Sequence, residues 1–152
     1  MRPLTVMLDL ENTLIDSWHS GCVLSRKSAF VHNTIKKILP LKPITNFGIF
    51  SFAIDNDKEI DHGIVLAQMA LPEFPINKSW VVPFDKIEQL VKFGCCNDLQ
   101  KWELINLFGK HDMFLKWAAQ FPQNDFILFD DALPFNTETI SRDKQVIDFF
   151  RV

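Results

Sequence analysis

The stretch LTVMLDLENTL, residues 4–14, decides the fold. Its first five residues form a short apolar run, which is typical of a strand buried on both faces. The run ends at Asp9, where polar residues begin. A strand of this kind belongs in a parallel sheet, and ligands of such sheets collect outside the carboxyl ends of the strands. The stretch therefore predicts a functional site that begins at Asp9.

The rest of the chain alternates apolar strands with amphipathic helices. Further strands are predicted at residues 47–54, 80–82, 126–129 and 145–150, and helices at 28–39, 57–71, 84–93, 98–108 and 111–121. This alternation predicts an α/β fold, with a parallel sheet of about five strands and helices on both faces. Three tryptophans fall on the predicted strands and helices and are expected in the core: Trp80, Trp102 and Trp117.

Length and composition predict a single domain over residues 1–152. Hydrophobic residues make up 47% of the chain and charged residues 23%, a balance that excludes a disordered protein. The longest run without a charge, residues 43–54, is too short to span a membrane, and Asp9 and Glu11 interrupt any signal sequence. The three cysteines have no Cys-x-x-Cys spacing. We therefore expect a soluble cytoplasmic protein without a membrane partner.

Acidic residues follow two of the predicted strands. Asp9 follows the first strand, and Asp130 and Asp131 follow the strand at 126–129. Because the carboxyl ends of parallel strands meet at one edge of a sheet, we expect these three side chains to converge. Mg²⁺ favours a few carboxylates together with water and phosphate oxygens. The sequence therefore predicts Mg²⁺ bound by Asp9 and Asp131, with Asp130 bound directly or through another ligand.

Other polar residues at the same edge fit phosphoryl transfer. With the ion present, the Asp9 carboxylate could attack a phosphate ester and form an aspartyl-phosphate. Thr13, Ser51 and Lys110 offer hydrogen-bond donors and positive charge to the transferring oxygens. Glu11 would protonate the leaving oxygen and later activate water. The expected reaction is Mg²⁺-dependent hydrolysis of a phosphate ester.

Four stretches resemble the motifs of the haloacid dehalogenase-like (HAD) superfamily. Residues 6–14 resemble its first motif, a strand followed by Asp-x-Asp-x-Thr, and residues 47–51, FGIFS, resemble its second. Lys110 falls where the lysine of the third motif belongs, and residues 126–131, FILFDD, match the fourth. The resemblance spans essentially the whole chain. It implies a HAD-like Rossmannoid sheet with the first strand at its centre, and usually a Mg²⁺-dependent phosphatase.

Glu11 departs from the motif, because this acid is normally Asp in the family. The longer side chain moves the carboxylate by about 1 Å, and a displacement of that size can cost roughly 10²-fold in rate. The departure predicts a slow or specialised enzyme. It also leaves an alternative open: a catalytically weak or inactive HAD-like regulatory protein, of a kind that a phage could encode, which acts by binding protein or nucleic acid.

The chain has little room for the large cap domain that many family members carry. About a dozen residues separate Leu14 from the predicted helix at residue 28, enough only for a flap loop (residues 15–27). A capless site stays open to water unless the substrate covers it. This favours a phosphorylated macromolecule, protein or nucleic acid, or closure by a partner subunit.

Basic residues are concentrated in one segment, although the net charge of the chain is −3. Residues 17–54 contain no acid but five cations: Arg26, Lys27, Lys36, Lys37 and Lys42. Such segregation predicts a face for a polyanion, nucleic acid included, with an ordinary solvated helix surface as the alternative. The segment begins beside the predicted site. Trp18, in the flap loop, is expected to anchor that loop or to stack on a base.

Overall fold

Six strands form one sheet at the centre of the protein, whose computed structural model describes residues 2–18, 24–92 and 98–152. The order across the sheet is β3-β2-β1-β4-β6-β5, and all neighbours are parallel except β5 and β6. Cys22, Cys95 and Cys96 lie outside the described residues. The strands are β1 (Leu4–Leu8), β2 (Asn46–Phe50), β3 (Ile76–Val82), β4 (Asp125–Asp130), β5 (Thr137–Arg142) and β6 (Gln145–Arg151).

The predicted α/β order and the parallel sheet are confirmed, with one strand more than the five expected. The sequence does not predict β5, because its residues, TETISR, are polar and mostly exposed. This strand lies at an edge of the sheet and pairs only with β6, so it has no buried face to leave an apolar pattern. The second predicted strand is too long, since the chain turns after Phe50 and the Ile54 amide donates to the Ser51 carbonyl oxygen.

In the part of the chain that the structure describes, four helices cover the two faces of the sheet. They are α1 (Lys27–Ile38), α2 (Ile60–Ala70), α3 (Phe84–Lys92) and α4 (Lys101–Ala118). Apolar residues of α1 and α2 share one buried cluster with the sheet, and those of α3 and α4 share another. No large cap domain is evident in the described residues. Within the same ranges, no helix has both the length and the apolar character that crossing a membrane requires.

A break inside α4 agrees with the two separate helices predicted at 98–108 and 111–121. Gly109 has a φ of 77° and a ψ of 156°, so the helix is interrupted at this residue. A positive φ carries little cost for glycine, because it has no Cβ. After the break the chain resumes its helix with Lys110, whose side chain is buried at the edge of the sheet.

The prediction that three tryptophans belong to the core is wrong for Trp102. Trp117 is 6% exposed and Trp80 is half-buried, and their rings contact each other with centroids 6.0 Å apart. Trp102, in contrast, is 63% exposed. The first turns of α4 bury Leu104, and residues two positions apart on a helix do not share a face. Helical spacing alone did not distinguish the inner face from the outer one here.

Candidate active site at the carboxyl edge of the sheet

The pairing of β1 with β4 brings Asp9 beside Asp130. The two strands are parallel, and the Asp9 amide donates to the Phe129 carbonyl oxygen at 3.0 Å. Side chains alternate between the faces of a strand, so Asp9 and Asp130 lie on the same face as Met7 and Leu128. That face is the one covered by α3 and α4. Two carboxylates distant in sequence thus meet beneath α4.

Asp131 completes a cluster of three carboxylates. One oxygen from each of Asp9, Asp130 and Asp131 lies within 4.8 Å of the others. Asp9 is 4% exposed and Asp130 is fully buried, while Asp131 is half-buried. Hard anionic oxygens at this spacing are suitable ligands for a divalent cation. The predicted convergence of the three acids is therefore confirmed, and the cluster could hold a metal ion.

A cleft of about 320 Å³ opens onto this cluster. Its polar lining includes most of the residues that the sequence singled out: Asp9, Glu11, Ser51, Lys110, Asp130 and Asp131. A larger groove of about 840 Å³ runs along β3, but it contains none of these residues. The smaller cleft is therefore the candidate active site, because it is where the reactive groups converge.

Lys110 is the only cation among the described residues that line the cleft. Its Nζ lies 3.0 Å from Asp9 Oδ1 and 2.6 Å from Asp130 Oδ2. Burial by itself would lower the pKa of Lys110, but the charges of Asp130 and Asp9 outweigh that effect and hold the pKa above its usual range. The ammonium therefore stays charged at neutral pH and neutralises part of the acidic cluster.

Asp130 and Asp131 have raised pKa values. Burial raises the pKa of Asp130 to about 7, with a further contribution from the Asp9 carboxylate and an opposing one from Lys110. Burial, followed by the charge of Asp9, raises the pKa of Asp131 to about 6. The three carboxylates therefore carry more negative charge than Lys110 offsets. Near neutral pH, partial protonation of Asp130 and Asp131 reduces this excess.

We expect Mg²⁺ affinity to rise with pH across this range. Well below pH 6 most of the Asp130 and Asp131 carboxyls carry protons, which a cation must displace, whereas well above pH 7 most are ionised. Binding at pH 5.5 should be about 10-fold weaker or more than at pH 8, as measured by titration calorimetry. An affinity that does not change between these pH values would show that the cluster is not the binding site.

Thr13 is hydrogen-bonded to the Asp9 carboxylate. Its Oγ1 donates a hydrogen bond of 3.0 Å to Asp9 Oδ2, and the side chain is fully buried. The sequence predicts Thr13 as a phosphate-binding residue, but it is not among the residues that line the cleft. Together, Thr13 and Lys110 contact both oxygens of Asp9 and so determine the orientation of this carboxylate.

Ser51 lies directly after β2 and lines the cleft, as predicted for a phosphate-binding residue. Only 1% of it is exposed. Its Oγ accepts a hydrogen bond of 3.3 Å from the Ala53 amide. A hydroxyl that accepts one hydrogen bond still carries a hydrogen to donate, so Ser51 can also bind an anionic oxygen.

The carboxylate of Glu11 is held by the flap loop. Glu11 Oε2 accepts a hydrogen bond of 3.0 Å from the Trp18 backbone amide, and Glu11 is half-buried at the wall of the cleft. The Trp18 ring in turn contacts His62 edge-on, with centroids 4.8 Å apart. This contact favours the anchoring role for Trp18 over base stacking. His19, the next residue of the flap loop, lies outside the described residues.

The five basic residues predicted to bind a polyanion are spread along α1 and beyond it. Arg26 and Lys27 lie at the start of the helix, which is about 18 Å long. Lys36, beside Lys37 in the last turn, forms an ion pair of 2.9 Å with Glu73. Lys42 forms one of 3.2 Å with Asp148 of β6, near the amino ends of the strands. Binding of a polyanion to this segment remains a prediction.

Sequence reasoning does not identify the apolar residues of the cleft. Phe52, Ala53, Ile105 and Ala132 line it beside the acids. Phe52 and Ala53 directly follow Ser51 in the sequence. Their position next to a predicted site residue was the one feature from which their place in the cleft could have been predicted. Ile105 reaches the cleft from α4, and an apolar residue on a helix is by default read as part of the core.

Comparisons with known proteins identify no relative. No protein-family model matches the chain, and neither a curated protein nor a solved structure matches it. The resemblance to the HAD superfamily therefore rests on the four motifs alone.

Proposed function

We propose that the protein is a capless HAD-like phosphohydrolase that uses Mg²⁺ and acts on a phosphorylated macromolecule, protein or nucleic acid. The observation that carries the proposal is the contact of Lys110 with both Asp9 and Asp130 inside a buried carboxylate cluster. A lysine buried with two strand-end carboxylates at an open cleft carries a desolvation penalty, which its two ion pairs oppose. It is suited to a site that receives both a cation and an anionic substrate.

The donor set of the cleft fits Mg²⁺. Asp9, Asp130 and Asp131 offer hard oxygens, and among the described residues of the cleft lining four acids face one lysine. A dianionic phosphate would be repelled by this balance of charge. When bound, Mg²⁺ would supply the positive charge that lets the phosphate and the carboxylates approach each other.

The side chains of the cleft suit a two-step hydrolysis. Asp9 attacks phosphorus while Thr13 and Lys110 keep its carboxylate oriented. The bond from phosphorus to the ester oxygen breaks, and Glu11 gives its proton to that oxygen as the alcohol leaves. Glu11 then takes a proton from water, the water oxygen attacks phosphorus, and inorganic phosphate leaves with Asp9 restored. Ser51 donates to a phosphoryl oxygen in both steps.

An open cleft favours a large substrate. Within the described residues no large cap domain stands over the cleft, so the substrate itself has to exclude water from Asp9. A macromolecule that carries the phosphate can cover the cleft with its own surface. This is the basis for proposing a phosphorylated macromolecule over a small metabolite.

Glu11→Gln is expected to lower the rate of phosphate-ester hydrolysis by about 10²- to 10⁴-fold in the presence of Mg²⁺. Gln keeps an oxygen that can accept the hydrogen bond from the Trp18 amide, but it cannot transfer the proton. Mg²⁺ affinity should stay as in the wild type, because Glu11 is not a member of the carboxylate cluster. The measurement is kcat for an alkyl and an aryl phosphate, with and without Mg²⁺.

The regulatory alternative makes different predictions in the same assay. A wild-type protein that is silent while Glu11→Asp turns over would indicate an intact site with suppressed activity, as expected of a regulator. Silence of the wild type and of Glu11→Asp on all phosphate esters, with Mg²⁺ present, would contradict the proposed hydrolysis.

A further inference from the structure

The apolar part of the cleft has a fixed shape. The Phe52 ring packs edge-on against Phe84, with centroids 5.2 Å apart, and Lys110 Nζ lies 4.5 Å from the centroid of the Phe52 ring. The Phe52 carbonyl oxygen accepts a hydrogen bond from Lys101 Nζ. Ile105 lies on α4, one turn before Gly109. Phe52 is therefore held from several directions in the absence of a ligand.

Phe52 and Ile105 together form what we call the apolar wall, which lines the same cleft as Asp9 and Lys110. Phe52 directly follows Ser51, the proposed phosphate donor, and both residues line the same cleft. Asp9 is 4% exposed at this cleft, so a phosphoryl group that reaches it brings its attached group inside. The apolar wall is the apolar surface beside which such a group would lie.

We propose that the apolar wall binds the leaving group and that the substrates are aryl phosphate monoesters, such as the phosphotyrosyl side chain of a protein. This inference rests on the proposed function and narrows its substrate class. Packing of a phenyl ring against Phe52 and Ile105 would make binding more favourable, because the contact removes apolar surface from water. The hydroxyls of a sugar would lose hydrogen bonds to water at the same wall.

The charge of the cleft also favours protein over nucleic acid. Its lining holds the acids Asp9, Glu11, Asp130 and Asp131 against Lys110 alone among the described residues. A single divalent cation does not make this balance positive. Phosphates that flank the reacting one on a nucleic acid would therefore be repelled, whereas the neutral backbone of a peptide would not.

The test compares two ligands that cannot be hydrolysed, phenylphosphonate and methylphosphonate, by calorimetry with Mg²⁺ present. Both carry the same phosphonate group, so the difference between their affinities measures how much the apolar wall contributes to binding of the phenyl ring. We expect the phenyl compound to bind about 10-fold more tightly or better. Ile105→Ala should lose most of this preference, and Ile105→Val, which disturbs packing less, should lose part of it. Leu107→Ala is the matched control: it lies on the same helix, 61% exposed, and does not line the cleft.

The outcomes separate this inference from the proposed function. Equal affinities for the two phosphonates, or a preference that survives in Ile105→Ala, would overturn the role of the apolar wall and leave phosphate hydrolysis standing. Faster hydrolysis of a phosphoserine peptide or a 5′-phosphorylated oligonucleotide than of a phosphotyrosine peptide would overturn the substrate class alone. Failure of both phosphonates to bind, with no ester hydrolysed, would overturn both proposals.

Discussion

Asp9→Asn is expected to lower Mg²⁺-dependent hydrolysis of an aryl phosphate by about 10⁴-fold or more, the scale on which enzymes lose activity when a nucleophile is removed. The amide oxygen of Asn is a poor nucleophile. The change also removes one of the three clustered carboxylates and an ion-pair partner of Lys110. The measurement is kcat/KM for the aryl phosphate at saturating Mg²⁺.

Asp16→Asn is the matched control for this change, because Asp16 is exposed in the flap loop close to Asp9 in sequence. It should keep wild-type activity. Asp9→Asn should remain folded, since removing a charge from a crowded acidic cluster relieves repulsion. Circular dichroism of both variants checks this. An Asp9→Asn protein that keeps most of its activity would show that Asp9 is not the nucleophile.

Lys110→Met is expected to lower the free energy of unfolding by about 3–5 kcal/mol at pH 7.5, the usual cost of breaking a buried ion pair by removing one partner. Lys110 Nζ contacts both Asp9 and Asp130, and each of the three side chains is at least nine-tenths buried. Without the ammonium, the buried carboxylates of Asp9 and Asp130 lose the ion-pair partner that they share. Urea unfolding of the variant and the wild type measures the difference.

The pH dependence of this loss has a definite sign. The folded-state pKa of Asp130 is raised to about 7, so the contribution of this group to stability is present at low pH and is lost as pH rises towards 7. Removal of Lys110 removes an attraction that favours the ionised carboxyl. The gap between variant and wild type should therefore be smaller at pH 5 than at pH 7.5.

Two further measurements complete this prediction. Mg²⁺ at pH 7.5 should restore part of the stability lost in Lys110→Met, because the cation binds the same carboxylates. Lys116→Met, an exposed position on the same helix, should unfold nearly as the wild type does. A Lys110→Met protein as stable as this control at pH 7.5 would contradict the view of Lys110 as the cation that the cluster requires.

The sequence alone was sufficient to predict the α/β order and the strand ends that carry acids. Apolar runs predicted β1 and β4 close to their observed bounds, because parallel strands buried on both faces leave an unbroken apolar pattern. The two helices predicted at 98–108 and 111–121 match the break at Gly109, because glycine is the residue that adopts a positive φ at little cost. The strand β5 and the exposure of Trp102 were not predicted. The spacing of apolar residues along the chain does not show that β5 pairs with β6, nor which side of α4 faces solvent.

Tertiary structure alone decided which atoms of the candidate site meet. Lys110 contacts Asp9 across 101 positions of sequence, and the Thr13 hydroxyl donates a hydrogen bond to the same carboxylate. Glu11 accepts a hydrogen bond from the Trp18 amide. The apolar wall of Phe52 and Ile105 also exists only because α4 packs at the edge of the sheet. The hydrophobic pattern of a sequence specifies which residues are buried. Contacts between particular atoms depend on strand register and helix packing, which long-range interactions determine together.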